Sequence, residues 1–114
     1  MVLALSYSSK SEIVRAIKKI TNDVVNNKVE IDAINDILIN EYLDTANIPS
    51  PELLIRTSGE YRLSNFLLWQ IAYSELYFTD KFWPDFTKGD LFEAVFDYQN
   101  RERRFGLTSE QIKN

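Results

Sequence analysis

The 114-residue sequence predicts an α/β fold: a mainly parallel sheet flanked by helices in three layers. Short apolar runs alternate along the chain with segments of helical periodicity, an order typical of parallel sheets. Polar segments rich in hydroxyl groups or containing glycine follow two of these runs, as expected where strands end. With 45% hydrophobic and 26% charged residues, the composition is that of a globular domain. We find no internal repeat, low-complexity tract or linker.

The first half of the sequence predicts one strand and two helices. Residues 2–7 form an apolar run typical of a buried parallel strand. Ser9 and Glu12 fit a capping box, which predicts that a helix begins there. The apolar stripe of this helix comprises Ile13, Ile17, Ile20 and Val24. A second helix is predicted over residues 31–43, with Ile31, Ile34, Leu38 and Tyr42 facing inward.

The second half predicts two further strands and a last helix. Residues 52–57 follow a proline-containing loop and are typical of a second buried strand. Residues 75–79 predict the third strand. The last helix begins near Lys88, and Gly106 is placed as its stop signal.

Composition excludes several classes of function. The formal net charge of -4 and the sequence pI of about 4.8 disfavour general binding to a phosphate backbone, so we expect no nucleic-acid partner. The absence of cysteine and histidine excludes disulfides, thiolate nucleophiles, Ser-His-Asp triads and imidazole metal sites. The N-terminal apolar run lacks a preceding basic region, and no run approaches about 18 apolar residues, so a cytoplasmic chain is expected.

A candidate phosphate site follows the second predicted strand. Ligands of open parallel sheets bind beyond the carboxyl ends of strands, where residues 56–65 are predicted to lie. This segment offers Arg56, Arg62, several hydroxyl groups and Gly59, which lets backbone amides approach a ligand. Guanidinium groups bind phosphate through paired charge-assisted hydrogen bonds. The alternative is that both arginines form ordinary ion pairs with the many acidic residues.

Two other sets of charged residues allow both a functional and a structural interpretation. Glu75 interrupts an apolar stretch, where a charge is costly unless it is paired or bound to a metal. A lone carboxylate is a poor magnesium site, so a salt bridge to a nearby arginine is the alternative. The second set is Arg101, Arg103 and Arg104, which could simply complement the dipole of the last helix.

Residues 51–70 closely resemble the signature of the cis-prenyltransferases, the isoprenyl transferase family that includes bacterial undecaprenyl diphosphate synthases. The likeness continues through 71–78, 82–86 and 98–106 and covers practically the whole chain. It identifies residues 1–114 as the C-terminal part of a single cis-prenyltransferase domain whose N-terminal half is absent. The implied fold is the C-terminal portion of the three-layer α/β domain.

The resemblance implies an enzyme that condenses isopentenyl diphosphate onto an allylic diphosphate, usually farnesyl diphosphate. The product is a long cis-polyprenyl diphosphate, a lipid carrier for cell-wall synthesis, and the cofactor is Mg²⁺. Arg56, Arg62 and Ser64 match the family positions that hold isopentenyl diphosphate. Glu75 matches a carboxylate involved in binding magnesium at that site.

The resemblance also implies the partners of the chain. Arg104 and Gly106 belong to an Arg-x-Gly motif that reaches across a homodimer toward the partner's substrate diphosphate. The family further implies a cytoplasmic enzyme at the inner membrane face, with transient membrane association for product release.

The sequence departs from the family at two places. Residues 6–10 read Ser-Tyr-Ser-Ser-Lys where the family often has Asn-Tyr-Gly-Gly-Arg, so amide-dependent proton handling at Ser6 is in doubt. The family's essential aspartate lies in the N-terminal half, so no catalytic residue is assigned here and the chain alone is expected to be inactive. The alternatives are a non-catalytic accessory subunit and an inactive truncated product.

Overall fold

Residues 1–107 and residue 111 are described by the computed structural model of the chain, in which contacts between residues group into two units. Unit 1 comprises Met1–Pro49 together with Ser64–Trp69. Unit 2 comprises Ser50–Leu63 together with the chain from Gln70 onward. In the described part of the chain, no helix is long and apolar enough to cross a membrane.

Helix α1 of unit 1 spans Ser9–Val25 and begins one residue earlier than the capping box predicts. Ser8 is the N-cap, and its hydroxyl accepts a hydrogen bond from the Ser11 amide at 3.3 Å. Ser9 is instead buried, and its hydroxyl accepts from the Leu68 amide at 3.0 Å. The predicted cap was therefore wrong by one residue, because adjacent serines offer equivalent capping groups and only one of them faces solvent.

The buried face of α1 differs in part from the predicted stripe. Its buried residues follow i, i+4 spacing through Glu12, Ala16 and Ile20. Ile17, which was predicted to face inward, is 57% exposed. The buried Glu12 is stabilised by the Asp44 amide at 2.8 Å and by the Tyr7 hydroxyl, which both donate to its carboxylate. A carboxylate held this way is tolerated inside the unit, whereas apolar periodicity cannot reveal it.

The second predicted helix is shorter than residues 31–43. A 3₁₀ turn, Ile31–Ala33, precedes helix α2, which spans Asp36–Tyr42. Ile34 and Asn35 separate the two, and the Asn35 side chain caps α2 by accepting from the Leu38 amide at 2.9 Å. Asparagine favours this extended capping position over a helix interior, which explains the later start of α2.

The strand predicted over residues 2–7 is not formed, and this expectation was wrong. Val2, Leu3 and Leu5 are each at least 75% exposed. Between residues 1 and 107 the sheet contains two strands, and neither pairs with this run. An apolar run becomes a strand only where a neighbour supplies hydrogen bonds, which the sequence pattern does not report.

Unit 2 contains the sheet. Strands β1 (Leu53–Arg56) and β2 (Glu75–Phe78) are parallel, and helix α3 (Lys88–Gln99) packs against both. A 3₁₀ turn, Trp83–Asp85, connects β2 to α3. The α/β class and the parallel pairing are therefore confirmed.

Helix α3 has well-defined ends. Thr87 and Asp90 form a capping box in which each residue satisfies the other's backbone amide. Ala94 is fully buried and allows the helix to approach the sheet closely. The helix ends at Gln99 with Asn100 as C-cap, so the prediction that Gly106 stops it was wrong. The Asn100 amide donates to carbonyls of the last helical turn, and Gly106 belongs to a separate turn that the Leu107 amide closes.

Candidate functional site

The carboxyl end of the sheet carries Arg56, the last residue of β1, which is partly buried. Beyond it the two strands remain connected through their loops. The Ser58 amide donates to the Lys81 carbonyl at 2.7 Å, and the Gly59 amide donates to the Thr79 carbonyl at 3.0 Å. These hydrogen bonds fix the path of the chain that leaves Arg56, so the predicted phosphate-binding segment begins from an ordered edge.

Gly59 is required by the turn that follows β1. Its φ of +64° lies in the left-handed region, where side chains are strained. A Cβ atom at this position would also lie 3.1 Å from Oδ1 of Asp80, tighter than ordinary contacts. The turn thus brings the loop close to Asp80, so that position 59 favours glycine over any residue with a side chain.

Arg62 lies farther along the same loop of unit 2. Its guanidinium pairs with Glu60 at 2.5 Å, and its side chain is 68% exposed. The neighbouring Tyr61 packs against Phe78, the register partner of Arg56, with ring centroids 5.3 Å apart. The loop is thereby anchored at the carboxyl end of the sheet. Because exposed ion pairs are weak, an anionic ligand can compete with Glu60 for the guanidinium.

Ser64, the third residue predicted to hold isopentenyl diphosphate, belongs to unit 1. Its φ of +51° is in the left-handed region. The next residue, Asn65, is held by α1: its carbonyl accepts from the Ser9 amide and its side chain accepts from the Lys10 amide, both at 3.0 Å. The local backbone around Ser64 is therefore ordered within unit 1, and its role in ligand binding stays a prediction.

Glu75 lies at the amino end of β2, where its register partner is Leu53 rather than Arg56. Three residues of parallel strand correspond to about 10 Å along the sheet. The structure therefore does not bring Glu75 and Arg56 together within this chain. Glu75 Oε2 instead accepts a hydrogen bond from Arg101 Nη1 at 3.1 Å. The salt bridge considered as the alternative for Glu75 is the contact observed.

Arg101 connects the chain after α3 to β2. Its Nη1 also donates to the Leu76 carbonyl at 2.8 Å, and its Nε donates to Asp97 at 2.9 Å. The hydrogen bond that Arg101 donates to Glu75, with a further contribution from Asp97, raises the pKa of the Arg101 guanidinium. Arg101 thus fixes the orientation of the Glu75 carboxylate, beyond complementing a helix dipole.

The donor set around Glu75 fits Mg²⁺ in a limited way. Among residues 1–107 and 111, no group of three or more acidic side chains could hold a metal ion. Glu75 offers a single carboxylate, which it shares with Arg101. Mg²⁺ accepts one or two carboxylates when phosphate oxygens and water complete its octahedron. Glu75 is therefore suited to a magnesium site that substrate oxygens complete.

A second ionic cluster joins the segment after α3 to the residue before β1. The Tyr98 hydroxyl donates to Glu52 Oε2 at 2.8 Å. Arg103 Nη1 donates to the Tyr98 oxygen at 3.1 Å and lies 3.3 Å from Glu52 Oε1. The hydrogen bond from Tyr98 and the charge of Arg103 lower the pKa of Glu52, and the bond to Glu52 raises the pKa of Tyr98.

The predicted Arg-x-Gly motif forms a tight turn. The Leu107 amide donates to the Arg104 carbonyl at 2.8 Å, and both central residues have positive φ: +48° at Phe105 and +82° at Gly106. Glycine adopts this conformation readily, whereas for phenylalanine it costs about 1–2 kcal/mol. The Arg104 side chain is 57% exposed and pairs with Glu102 at 3.2 Å.

The basic residues after α3 were among the predicted candidates, but the particular acidic partners of Arg101 and Arg103 were not predicted. Arg101 and Arg103 contact Glu75 and Glu52, each at the amino end of a strand. Tyr98 of α3 lies between Arg103 and Glu52 and forms a hydrogen bond with each. The pairing itself depends on the strand register, which residue spacing alone does not reveal.

Comparison with known proteins gives consistent relationships. The family model described as "Putative undecaprenyl diphosphate synthase" matches residues 1–106. An isoprenyl transferase from Chlamydia pneumoniae is 58% identical over 106 residues, which are 93% of this chain and 42% of that protein. The chain thus spans less than half the length of the curated relatives it matches.

Solved structures show the same relationship. Lavandulyl diphosphate synthase from Lavandula x intermedia, crystallised with dimethylallyl diphosphate, has a TM-score of 0.87 and 45% identity, covering 91% of this chain and 45% of its own. A probable undecaprenyl diphosphate synthase from Campylobacter jejuni has a TM-score of 0.73 and 38% identity, covering 91% and 46%. With the parallel sheet and the match over residues 1–106, these likenesses show that the chain belongs to the undecaprenyl diphosphate synthase family of cis-prenyltransferases.

Proposed function

We propose that this chain contributes to cis-prenyl transfer, the condensation of isopentenyl diphosphate onto an allylic diphosphate such as farnesyl diphosphate. The product would be a long cis-polyprenyl diphosphate that carries lipid-linked intermediates of cell-wall synthesis. The observation that carries the proposal is Arg56 at the carboxyl end of β1, followed by the anchored loop that exposes Arg62. Membership of the family supports the reaction class.

Arg56 and Arg62 would bind the diphosphate of isopentenyl diphosphate. Both guanidinium groups are permanently charged and present forked donors that match phosphate oxygens. Arg56 is partly buried at the strand end, so we assign it the fixed, orienting contact. Arg62 is exposed and would exchange Glu60 for the ligand. Ser64 is proposed as a hydroxyl donor to isopentenyl diphosphate only on the strength of its match to the family position.

Mg²⁺ is the cofactor that family membership implies, and Glu75 is the residue that would hold it. When bound, the ion would neutralise diphosphate charge as the allylic diphosphate leaves as an anion. The chain's own contribution is to keep the Glu75 carboxylate oriented, through its hydrogen bond from Arg101.

Arg104 and Gly106 would act toward the diphosphate bound by a second copy of the chain in a homodimer. This proposal is supported by the turn in which Gly106 has positive φ and Arg104 is exposed. A cytoplasmic location with transient membrane contact during product release would suit a water-soluble diphosphate substrate and a lipid product.

A non-catalytic accessory role is the second candidate. It is favoured by the absence, among residues 1–107 and 111, of any group of three or more acidic side chains that could hold a metal, and by the pairing of Glu75 with Arg101. Such a role would use the turn at Gly106 while leaving the chemistry to another chain.

A chimera tests the proposed function. Residues 1–106 would replace the matching segment of the Chlamydia pneumoniae isoprenyl transferase, to which they are 58% identical. We expect Mg²⁺-dependent incorporation of labelled isopentenyl diphosphate into lipid. We expect Arg62→Ala to raise KM for isopentenyl diphosphate about tenfold, with little effect on KM for the allylic substrate.

The matched control is Arg15→Ala, which removes an exposed arginine paired with Asp44 in unit 1. An inactive but folded chimera would favour the accessory role, and equal effects of Arg62→Ala on both substrates would refute the assignment. The 114-residue chain alone is expected to form no lipid product, so Mg²⁺-dependent product from it would show that this expectation is wrong.

A further inference from the structure

We propose that Arg103 is a positioning residue that holds the Arg104–Leu107 turn in the conformation that exposes Arg104. The proposed role of Arg104 toward diphosphate rests on the proposed function, whereas the holding action of Arg103 stands on the contacts of unit 2. We call the four residues involved the Arg103 clamp: Glu52, Tyr98, Arg103 and Phe105.

One side of the clamp anchors Arg103 to the ordered part of unit 2. The side chain of Arg103 is 24% exposed, and its Nη1 donates to the Tyr98 oxygen and pairs with Glu52. Tyr98 belongs to α3 and Glu52 directly precedes β1. A helix and the residue preceding a strand therefore fix the position of one guanidinium.

The other side of the clamp contacts the turn. The Arg103 guanidinium carbon lies 4.5 Å from the centroid of the Phe105 ring. Tyr73 packs on the same ring, with centroids 6.2 Å apart. Phe105 has a φ of +48°, which a phenylalanine retains only when its surroundings restrain it. Arg103 and Tyr73 supply that restraint, since each packs against the ring that the strained backbone carries.

This arrangement separates the roles of two adjacent arginines. Arg103 Nη1 contacts Glu52 and Tyr98, and the guanidinium carbon lies over the Phe105 ring. These contacts of the Arg103 guanidinium are all within unit 2. The Arg104 side chain is 57% exposed and forms an ion pair with Glu102 at 3.2 Å. A diphosphate can therefore compete for Arg104, while Arg103 determines where Arg104 is presented.

Amide hydrogen exchange at Leu107 tests the clamp, because its hydrogen bond to the Arg104 carbonyl closes the turn. We expect Arg103→Ala to accelerate this exchange about fivefold, while Arg15→Ala leaves it unchanged. In the double variant Arg103→Ala/Phe105→Gly, we expect protection to return to within about twofold of the original chain. Glycine adopts positive φ without restraint, so it removes the need for Arg103.

If Arg103 acts by holding the strained turn, a glycine at position 105 restores the protection. If Arg103 instead supports the fold in general, the glycine does not restore it. Unchanged exchange in Arg103→Ala, or lost protection that Phe105→Gly fails to restore, would overturn the proposal. A separate titration with inorganic pyrophosphate, followed at the Arg104 Nε resonance, tests the proposed function. A resonance that does not move would contradict the diphosphate role of Arg104, whereas the exchange results decide the clamp independently.

Discussion

Replacing Glu75 and Arg101 singly and together measures how strongly the carboxylate predicted to bind metal is held by its arginine. In a double-mutant cycle, Glu75→Gln replaces the carboxylate with an amide of the same shape, and Arg101→Gln removes the guanidinium group and its charge. The coupling free energy between the two substitutions isolates the pair from the other contacts of Arg101. Those contacts, to Asp97 and the Leu76 carbonyl, belong to the cost of Arg101→Gln alone.

The structure sets the expected magnitude. A hydrogen bond to a charged group contributes about 1.5–3 kcal/mol when well buried. The Arg101 and Glu75 side chains are 31% and 26% exposed, so solvent screens part of their interaction. We therefore expect a coupling of about 1 kcal/mol. Arg15 and Asp44, whose side chains are 50% and 45% exposed, provide a control pair with an expected coupling of about 0.3 kcal/mol.

Urea unfolding of the 114-residue chain at pH 7, followed by circular dichroism, gives the four free energies of each cycle. We expect the Glu75–Arg101 coupling free energy to exceed clearly that of the Arg15–Asp44 pair. Equal couplings, or a Glu75–Arg101 value indistinguishable from zero, would refute the claim that Arg101 holds the carboxylate in place.

Three further predictions concern unit 2. The hydrogen bond from Lys81 lowers the pKa of Asp90 below its ordinary range, so ionised Asp90 stabilises the fold above about pH 4 and this contribution is lost as pH falls further. Asp90→Asn should flatten that part of the urea-measured stability profile, and an unchanged profile would contradict it. Ala94 is fully buried, so Ala94→Leu should lower the free energy of unfolding by about 1–3 kcal/mol. An unchanged urea midpoint would show that the space around Ala94 accommodates a larger side chain. In the chimera, Glu75→Gln should raise the Mg²⁺ concentration for half-maximal activity, and an unaltered magnesium titration would leave Glu75 a structural role.

The sequence predicted the parts of unit 2 in which local pattern and tertiary structure agree. Apolar runs bounded by polar segments located β1 and β2, and the periodicity after Lys88 located α3. Residues 2–7 carry an equally apolar pattern without forming a strand, because pairing depends on a neighbour. A sequence pattern indicates which side chains of a segment could be buried in a sheet. Whether the strand forms depends on a neighbouring strand with which it can pair.

The site was predicted unevenly for a similar reason. Residue types identified Arg56 and Arg62 as anion-binding candidates, and the structure brings the loop between them to one end of the sheet. Glu75 was grouped with them, but the strand register puts it at the other end, beside Arg101. The partners of Glu75 and Arg103 depend on register and on the path of the chain after α3, neither of which is encoded in local spacing.

Binding of isopentenyl diphosphate is the property that Arg62 and the loop after β1 are proposed to give the chain. Isothermal titration of the 114-residue chain should give saturable binding at one site. Arg62→Ala should weaken the affinity about tenfold, while Arg15→Ala should leave it unchanged. Absence of binding to a folded chain, or equal affinities for both variants, would contradict the claim that Arg62 and the loop after β1 hold the diphosphate.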